Sequence, residues 1–204
     1  MSRASRVLIL LNGELGRSAP VRRAARETSL LVCADGGARH AAKLGLKPRL
    51  VIGDMDSLPA RLPRWTDTVF LCDFDTDCSD FEKALRFAAE RGFKEAWVAA
   101  AYGAPDYALV NFAVAERWAG KLAVKFLGAP EARLLGPGTH RIPCRRGARV
   151  TLVALADRAR IATKGLQYPL KNEWLESGSR GLSNKATAST VTISIRQGRV
   201  WAFC

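Results

Sequence analysis

Through the first 130 residues of this chain, short apolar runs alternate with stretches whose apolar positions recur every three or four residues. The runs RVLILL (6–11), LLVCA (30–34), RLVI (49–52), TVFLC (68–72), EAWVAAA (95–101) and LAVKFL (122–127) predict strands. Several are continuously apolar, as strands covered on both faces are. Helical patterns fill the gaps. Pro20 suits the first turn of a helix running to about Arg26. A second helix spans 38–44, with Gly45 as its C-cap and Pro48 beyond. Ser79-Asp80-Phe81-Glu82 has the spacing of a capping box, Phe81, Ala84, Leu85, Ala88 and Ala89 share one helical face, and Gly92 closes the helix. A fourth helix runs from Asp106 to Ala119 and ends at Gly120. Strand and helix alternating at this pitch predict a Rossmann-like layered α/β domain with a largely parallel sheet.

Beyond residue 130 the rhythm changes. The segment GAPEARLLGPGTHRIP (128–143) is rich in Gly and Pro, and the boundary between domains is expected between 127 and 147. ARVTLVAL (148–155), ARIATKGL (159–166), STVTISI (189–195) and GRVWAF (198–203) predict strands. In STVTISI, Thr190, Thr192 and Ser194 face one side and Val191, Ile193 and Ile195 the other. Gln197-Gly198 reads as a hairpin turn. The expectation is an α/β domain over 1–130 and a small all-β sandwich over 131–204.

Composition narrows the class. The 204 residues are 48% hydrophobic and 25% charged, which is globular. No apolar run approaches a membrane span, and no membrane partner is expected. The basic, apolar start resembles a signal peptide only until Asn12-Gly13, where it ends as a strand-to-turn junction with no small-residue cleavage site. The cysteines, Cys33, Cys72, Cys78, Cys144 and Cys204, are odd in number and form no CxxC, and with two histidines they make no zinc site. A cytoplasmic protein is expected. Net charge is +13, and residues 131–204 carry 13 Lys or Arg against 4 Asp or Glu. A basic surface attracts nucleotides as readily as nucleic acid, and no nucleic-acid motif accompanies it, so no nucleic-acid partner is expected.

Against that basic background, two acidic clusters stand out, VIGDMDS (51–57) and DFDTDCSDFEK (73–83), each just past a predicted strand. Open parallel sheets bind ligands beyond the C-terminal ends of their strands. Hard carboxylate oxygens there suit Mg²⁺ and phosphate chemistry, so Asp54, Asp56, Asp77 and Asp80 are the candidate metal-binding and catalytic acids. Polar loop turns are the alternative reading of both clusters. Asp77 and Asp80 straddle a helix N-terminus, where unpaired amides favour negative charge. Lys83 either reaches a phosphate or is a solvated helix lysine. CADGGA (33–38) offers Asp35 and the open backbone of Gly36 and Gly37 to a phosphate or a ribose hydroxyl. No GxGxxG or Walker loop is present. His40, in a short basic helix, and His140, in the Gly/Pro segment, are expected to be surface residues.

The order ADGGA (34–38), GLKPRLVIGDMDS (45–57), DTDCSDFEKAL (75–85), GLQYPL (165–170) and LSNKA (182–186) resembles the thiamine pyrophosphokinase family from about residue 7 to the C-terminus. The resemblance implies transfer of a pyrophosphoryl group from ATP to the hydroxyethyl group of thiamine, with Mg²⁺, in a homodimer whose acceptor lies at the subunit interface. It gives Asp54, Asp56, Asp77 and Asp80 the acidic-motif roles, with Ser79 standing where threonine is usual. Asp35, Gly36, Gly37, Ser57, Lys83, Gly103, Asp106 and Asn111 fall on the nucleotide side. Ser183 and Asn184 match a pair near the thiamine pocket. Trp174 and Trp201, read from residue type alone, either stack on a thiamine ring or belong to the core. Where the family usually reads GGRxDH, this chain reads YGAPDY at 102–107, with Ala104 in place of the arginine and Tyr107 in place of the histidine. An alanine cannot clamp a phosphate. Two alternatives stay open: a relative acting on another small alcohol such as a hydroxymethylpterin, and a non-catalytic thiamine or nucleotide sensor.

Overall fold

A computed structural model describes residues 5–204; the basic start at 1–4 lies outside the described residues. The chain divides into two compact units, residues 1–129 and 130–204.

The first unit contains β1 (Arg6–Leu10), α1 (Ser18–Glu27), β2 (Leu30–Ala34), α2 (Ala38–Leu44), β3 (Leu50–Gly53), β4 (Val69–Cys72), α3 (Asp80–Glu90), β5 (Glu95–Ala99), α4 (Pro105–Trp118) and β6 (Ala123–Leu127). Its strands run in the order β6-β5-β1-β2-β3-β4. Every pair is parallel. The chain therefore winds outward from β1 to one edge, then returns to β5 on the other side of β1. That reversal makes a switch point between β1 and β5, where open α/β sheets form their crevice. Leu8, Leu10, Cys33, Val51 and Ala99 pack with Val21 and Ala24 of α1 and Ala38, Ala41 and Leu44 of α2. The alternate residues Val7, Ile9 and Val32 are equally buried, and α3 packs against β1, β2 and β3. Both faces of the central strands are thus covered, which explains their continuously apolar sequence.

β4 departs from that pattern. It is apolar, but all four of its residues are exposed, because it is the edge strand of the sheet and lacks the covering that β1–β3 receive. The cap of α3 forms as the sequence predicts: Ser79 Oγ accepts the Glu82 amide at 3.3 Å. The reciprocal half of the box does not form, since the Glu82 carboxylate instead accepts from Trp118 Nε1 at 3.1 Å and Arg117 at 3.3 Å. That tie pins α3 to the end of α4.

The second unit is all β, with β7 (Ala132–Leu135), β8 (Gly138–Pro143), β9 (Arg149–Val153), β10 (Ala159–Lys164), β11 (Lys171–Leu175), β12 (Asn184–Lys185), β13 (Thr190–Gln197) and β14 (Val200–Phe203). Strands β11-β10-β13-β8 form one antiparallel sheet, and β12-β9-β14-β7 pair antiparallel in the other layer. Val191, Ile193 and Ile195 of β13 are buried between partly exposed neighbours, as the period of two requires, and they pack with Val150, Leu152, Ile161 and Leu175 in one core. Gln197-Gly198 is not a hairpin. The turn, with Gly198 at φ +80°, carries the chain from one sheet to the other, because β13 pairs with β10 and β8 whereas β14 pairs with β7 and β9.

Candidate active site

The C-terminal ends of the parallel strands open on a cavity of about 610 Å³. Leu11, Asn12 and Gly13 after β1 and Ala100 and Tyr102 after β5 line it at the switch point. These two segments are stitched together by Leu11 N–H to Ala99 O and Gly13 N–H to Ala100 O, both 3.0 Å, and Glu14 N–H to Tyr102 O at 2.7 Å. Asp35 after β2, Asp54 and Asp56 after β3, and Asp75 and Asp80 beyond β4 supply the acidic wall.

Backbone conformation brings these acids together. A Cβ on Gly53 would stand 2.8 Å from Asp35 Cβ and 2.9 Å from Asp80 Cγ, so only glycine, here at φ +151°, lets both carboxylates crowd the end of β3. Asp35, Asp54 and Asp56 each present an oxygen within 4.8 Å of the others. Ser57 N–H donates to Asp35 Oδ2 at 2.9 Å, and Ser57 Oγ donates to Asp56 Oδ1 at 2.9 Å. Asp35 itself is buried, at φ +36°, and its Oδ1 has no hydrogen-bond donor. A buried carboxylate oxygen without a donor, beside two further acids, fits a divalent cation.

Electrostatics agree. Burial pushes the Asp35 carboxyl above the usual carboxylate range, the Ser57 amide opposes it, and Asp80 and Asp56 add to it. Asp80 is raised by burial, with Asp54 and Asp56 adding and Lys83 opposing. Lys83 is not a solvated helix lysine: its side chain is 3% exposed, and Nζ donates to Asp73 O at 2.7 Å and Asp80 Oδ1 at 3.1 Å. It holds Asp80 in place as part of the wall.

Asp77 is placed differently from its neighbours. It is exposed and absent from the cavity wall, because its amide donates to Asp75 Oδ1 at 3.0 Å, a local turn that sends Asp75 inward instead. Asp75 also accepts from Cys78 Sγ at 3.2 Å, and with the Asp77 amide this bond holds its carboxyl below the usual range. Arg86 anchors the loop through Asp73 at 2.6 Å. Sequence reasoning passed over Asp75, although it stands in the same acidic run.

Of the remaining nucleotide-side candidates, Gly36 and Gly37 are buried in a single 3₁₀ turn. A Cβ on Gly37 would lie 2.0 Å from Leu10 O, so the turn can sit against β1 only without a side chain. Asn111 lines the cavity, with its amide donating to Ala101 O at 2.9 Å. Gly103, at φ +147°, lines a neighbouring cavity, and Asp106 is exposed in the first turn of α4 and lines neither. His40 is buried, contrary to expectation. Its Nε2 lies 2.8 Å from the Gly13 carbonyl and must carry the proton, since a carbonyl only accepts. Burial lowers its pKa despite that bond, with Arg39 and Lys43 adding to the effect. His140, half-buried, bonds the Gly136 carbonyl at 2.8 Å.

The four acceptor-side candidates belong to the second unit. Asn184 is buried and held at both ends of its amide: Oδ1 accepts from Tyr168 N–H at 3.1 Å and Lys185 N–H at 2.9 Å, and Nδ2 donates to Tyr168 O at 2.7 Å. It fixes the GLQYPL turn, leaving Tyr168 exposed. Ser183 is exposed at φ +54° with its amide on Thr151 Oγ1 at 3.0 Å. Trp201 cannot stack on a ligand, being 1% exposed on a strand paired on both edges. Trp174 is half-buried, and the Arg158 and Arg160 guanidinium carbons lie 4.3 Å and 5.7 Å from its ring centroid. The ring therefore already carries a cation over one of its faces.

Comparison with known proteins accounts for both units. Residues 21–119 match the thiamin pyrophosphokinase catalytic domain, and residues 139–200 match the thiamin pyrophosphokinase vitamin B1 binding domain. Sequence comparison with curated proteins returns no significant match. Among solved structures, the thiamine pyrophosphokinase of Bacillus subtilis superimposes with a TM-score of 0.84 at 19% identity, covering 97% of each chain. That of Geobacillus thermodenitrificans gives 0.81 at 22% identity over 97% of this chain and 96% of its own. The enzyme of Candida albicans gives 0.80 at 17% identity over 98% of this chain and 88% of its own. The two domain matches, taken in order along most of the sequence, show that this chain belongs to the thiamin pyrophosphokinase family.

Proposed function

We propose that the acidic cavity of the first unit binds ATP with Mg²⁺, and that the chain transfers the pyrophosphoryl group to thiamine, giving thiamine diphosphate and AMP. Members of the family are ATP-dependent pyrophosphotransferases. The observation that carries the reading is the convergence of Asp35, Asp54 and Asp56 within 4.8 Å, with Asp80 close by, beyond the C-terminal ends of β2, β3 and β4. Asp35, Asp54, Asp56 and Asp80 would hold the cation. When bound, it supplies charge neutralisation to the phosphate oxygens.

The chain's own groups do the positioning. Lys83 restrains Asp80, Ser57 bridges Asp35 and Asp56, and the Asn111 amide holds α4 to the end of β5. A carboxylate of the cluster orients the attacking hydroxyl, so that the barrier falls chiefly through placement rather than a strong base. The acceptor surface belongs to the second unit, where the Asn184 clamp presents Tyr168 and exposed Ser183.

A homodimer is part of the proposal. Tyr107, Leu109 and Val110 of α4 are 73%, 61% and 50% exposed beside the cavity, a run of apolar surface that a second copy would cover. Five free cysteines suit a reducing, cytoplasmic setting. Among the described residues no helix is long and apolar enough to cross a membrane.

Asp54→Ala and Asp80→Ala are each expected to lower pyrophosphoryl transfer by at least about 100-fold while leaving the fold intact, as loss of a charge-positioning group does. Near-normal turnover in both folded variants would defeat the metal assignment.

A further inference from the structure

A second cavity, of about 700 Å³, adjoins the acidic one, and its charge is of opposite sign. Arg22, Arg39 and Lys43 line it against one acid, Glu14. The acidic cavity holds Asp35, Asp54, Asp56, Asp75 and Asp80 against Lys83 alone. Asn12, Gly13 and Ala104 line both, so the two spaces meet along the loop that follows β1. Arg39 stands at that junction, because one of its guanidinium nitrogens donates to the Asn12 carbonyl.

The basic wall is fixed by tertiary hydrogen bonds. Arg22 reaches across to the Leu44 carbonyl at 2.7 Å, which ties α1 to the end of α2. Neither Arg39 nor Lys43 has an acidic partner within ion-pair distance among the described residues, and both are exposed to the cavity's solvent. One turn apart on α2, they present cations on the same side of that helix. His40 between them bonds the Gly13 carbonyl as a neutral ring and so fastens α2 to the shared loop.

We propose that Arg39, with Lys43, binds the phosphate of the nucleotide that is not transferred: the α-phosphate, which leaves as part of AMP. The inference rests on the function proposed above and assigns the residues for one part of that substrate. An acidic cavity holding a cation accommodates the transferred phosphates but repels an anion left outside the cation's reach, and the adjoining basic wall has the complementary charge. In the reaction the acceptor's hydroxyl oxygen forms a bond to the β-phosphorus. The bond between that phosphorus and the oxygen bridging to the α-phosphorus breaks, and the hydroxyl proton is released. The bridging oxygen departs with AMP, so negative charge grows on the α-phosphate. A guanidinium fork matches a phosphate with two parallel donors. Arg39 thereby supplies a cation beside Ala104, whose own side chain has none to offer.

Calorimetric titration of the full-length protein with AMP, alongside steady-state kinetics, tests this. Arg39→Ala is expected to weaken AMP binding and raise KM for ATP by about 10-fold or more, with KM for thiamine within about 2-fold, the scale expected for one charged hydrogen-bonding group. Arg39→Lys should recover part of the loss, and Lys43→Ala should show a smaller effect in the same direction. Equal AMP affinity in wild type and a folded Arg39→Ala variant, or no AMP binding by the wild type, would overturn the assignment. If the wild type binds AMP and Arg39→Ala abolishes it, while no thiamine diphosphate is ever made, the nucleotide pocket stands and the thiamine reading falls.

Discussion

Replacing Asp35 with Asn should make the protein more stable in the absence of Mg²⁺ and deprive it of the stabilisation that Mg²⁺ confers. Asp35 is 2% exposed, one of its oxygens has no donor, and it shares a 4.8 Å cluster with Asp54 and Asp56. Two unit charges at that separation repel by about 3.5 kcal/mol at an effective dielectric of ~20, and by about 0.9 kcal/mol in water. Asp54 and Asp56 are exposed, so the lower figure governs each pair. Neutralising residue 35 then relieves about 2 kcal/mol, equivalent to about 4–8 °C in Tm for a chain of this size. The amide costs little in return. Its oxygen can still accept from Ser57 N–H, its nitrogen turns a donor toward the acids, and Asn tolerates the φ of +36°.

The same substitution fixes a pH dependence. The raised pKa of Asp35 means that the folded state binds this proton more tightly than the unfolded chain does. The destabilisation from ionising it is therefore present above the folded pKa and vanishes as pH falls through the ordinary carboxylate value of 3.8. Thermal denaturation with chelator, from pH 7 down to about pH 4, should show the advantage of Asp35→Asn largest at neutral pH and shrinking with acid. A variant that melts below the wild type at pH 7, or gains as much from Mg²⁺ as the wild type does, would show that Asp35 is neither repelled by its neighbours nor a ligand of the cation.

Asn184→Ala removes the three hydrogen bonds that shape the Tyr168 turn and should cost about 1–3 kcal/mol, read as a fall in Tm, with a rise in KM for thiamine. Trp201→Ala should cost about 3–5 kcal/mol because the residue is core, whereas a stacking residue would lose acceptor affinity at unchanged Tm. Light scattering at micromolar concentration should give twice the 22.2 kDa chain mass, and a fully active 22.2 kDa particle would exclude the dimer.

Much of the fold was legible because burial dictates periodicity. The doubly covered strands β1, β2 and β3 are apolar without interruption, and β13 alternates because one face meets the core. Of the four strands that went unread, β7, β8, β11 and β12, two carry weak signals for physical reasons. β8 lies in a Gly- and Pro-rich segment and buries only Ile142, and β11, KNEWL, buries only Leu175. Their pairing comes from long-range partners, β13 and β10, that no local window contains. The acidic wall was legible in kind, since carboxylates that follow adjacent parallel strands lie along the same C-terminal edge of the sheet. The identity of each member was less so. Asp75 and Asp77 are two residues apart, and a turn closed by a single amide decides which faces inward. His40 was misjudged, and Trp201 stayed undecided between core and ligand platform, because residue type gives chemistry and only the packed structure gives exposure.

Pyrophosphoryl transfer to thiamine is tested by one incubation of the protein with ATP, Mg²⁺ and thiamine, with nucleotides separated by chromatography and the acceptor followed by mass. The expected result is AMP and thiamine diphosphate in equal amounts. ADP as the nucleotide product, or turnover with a hydroxymethylpterin but none with thiamine, would contradict it.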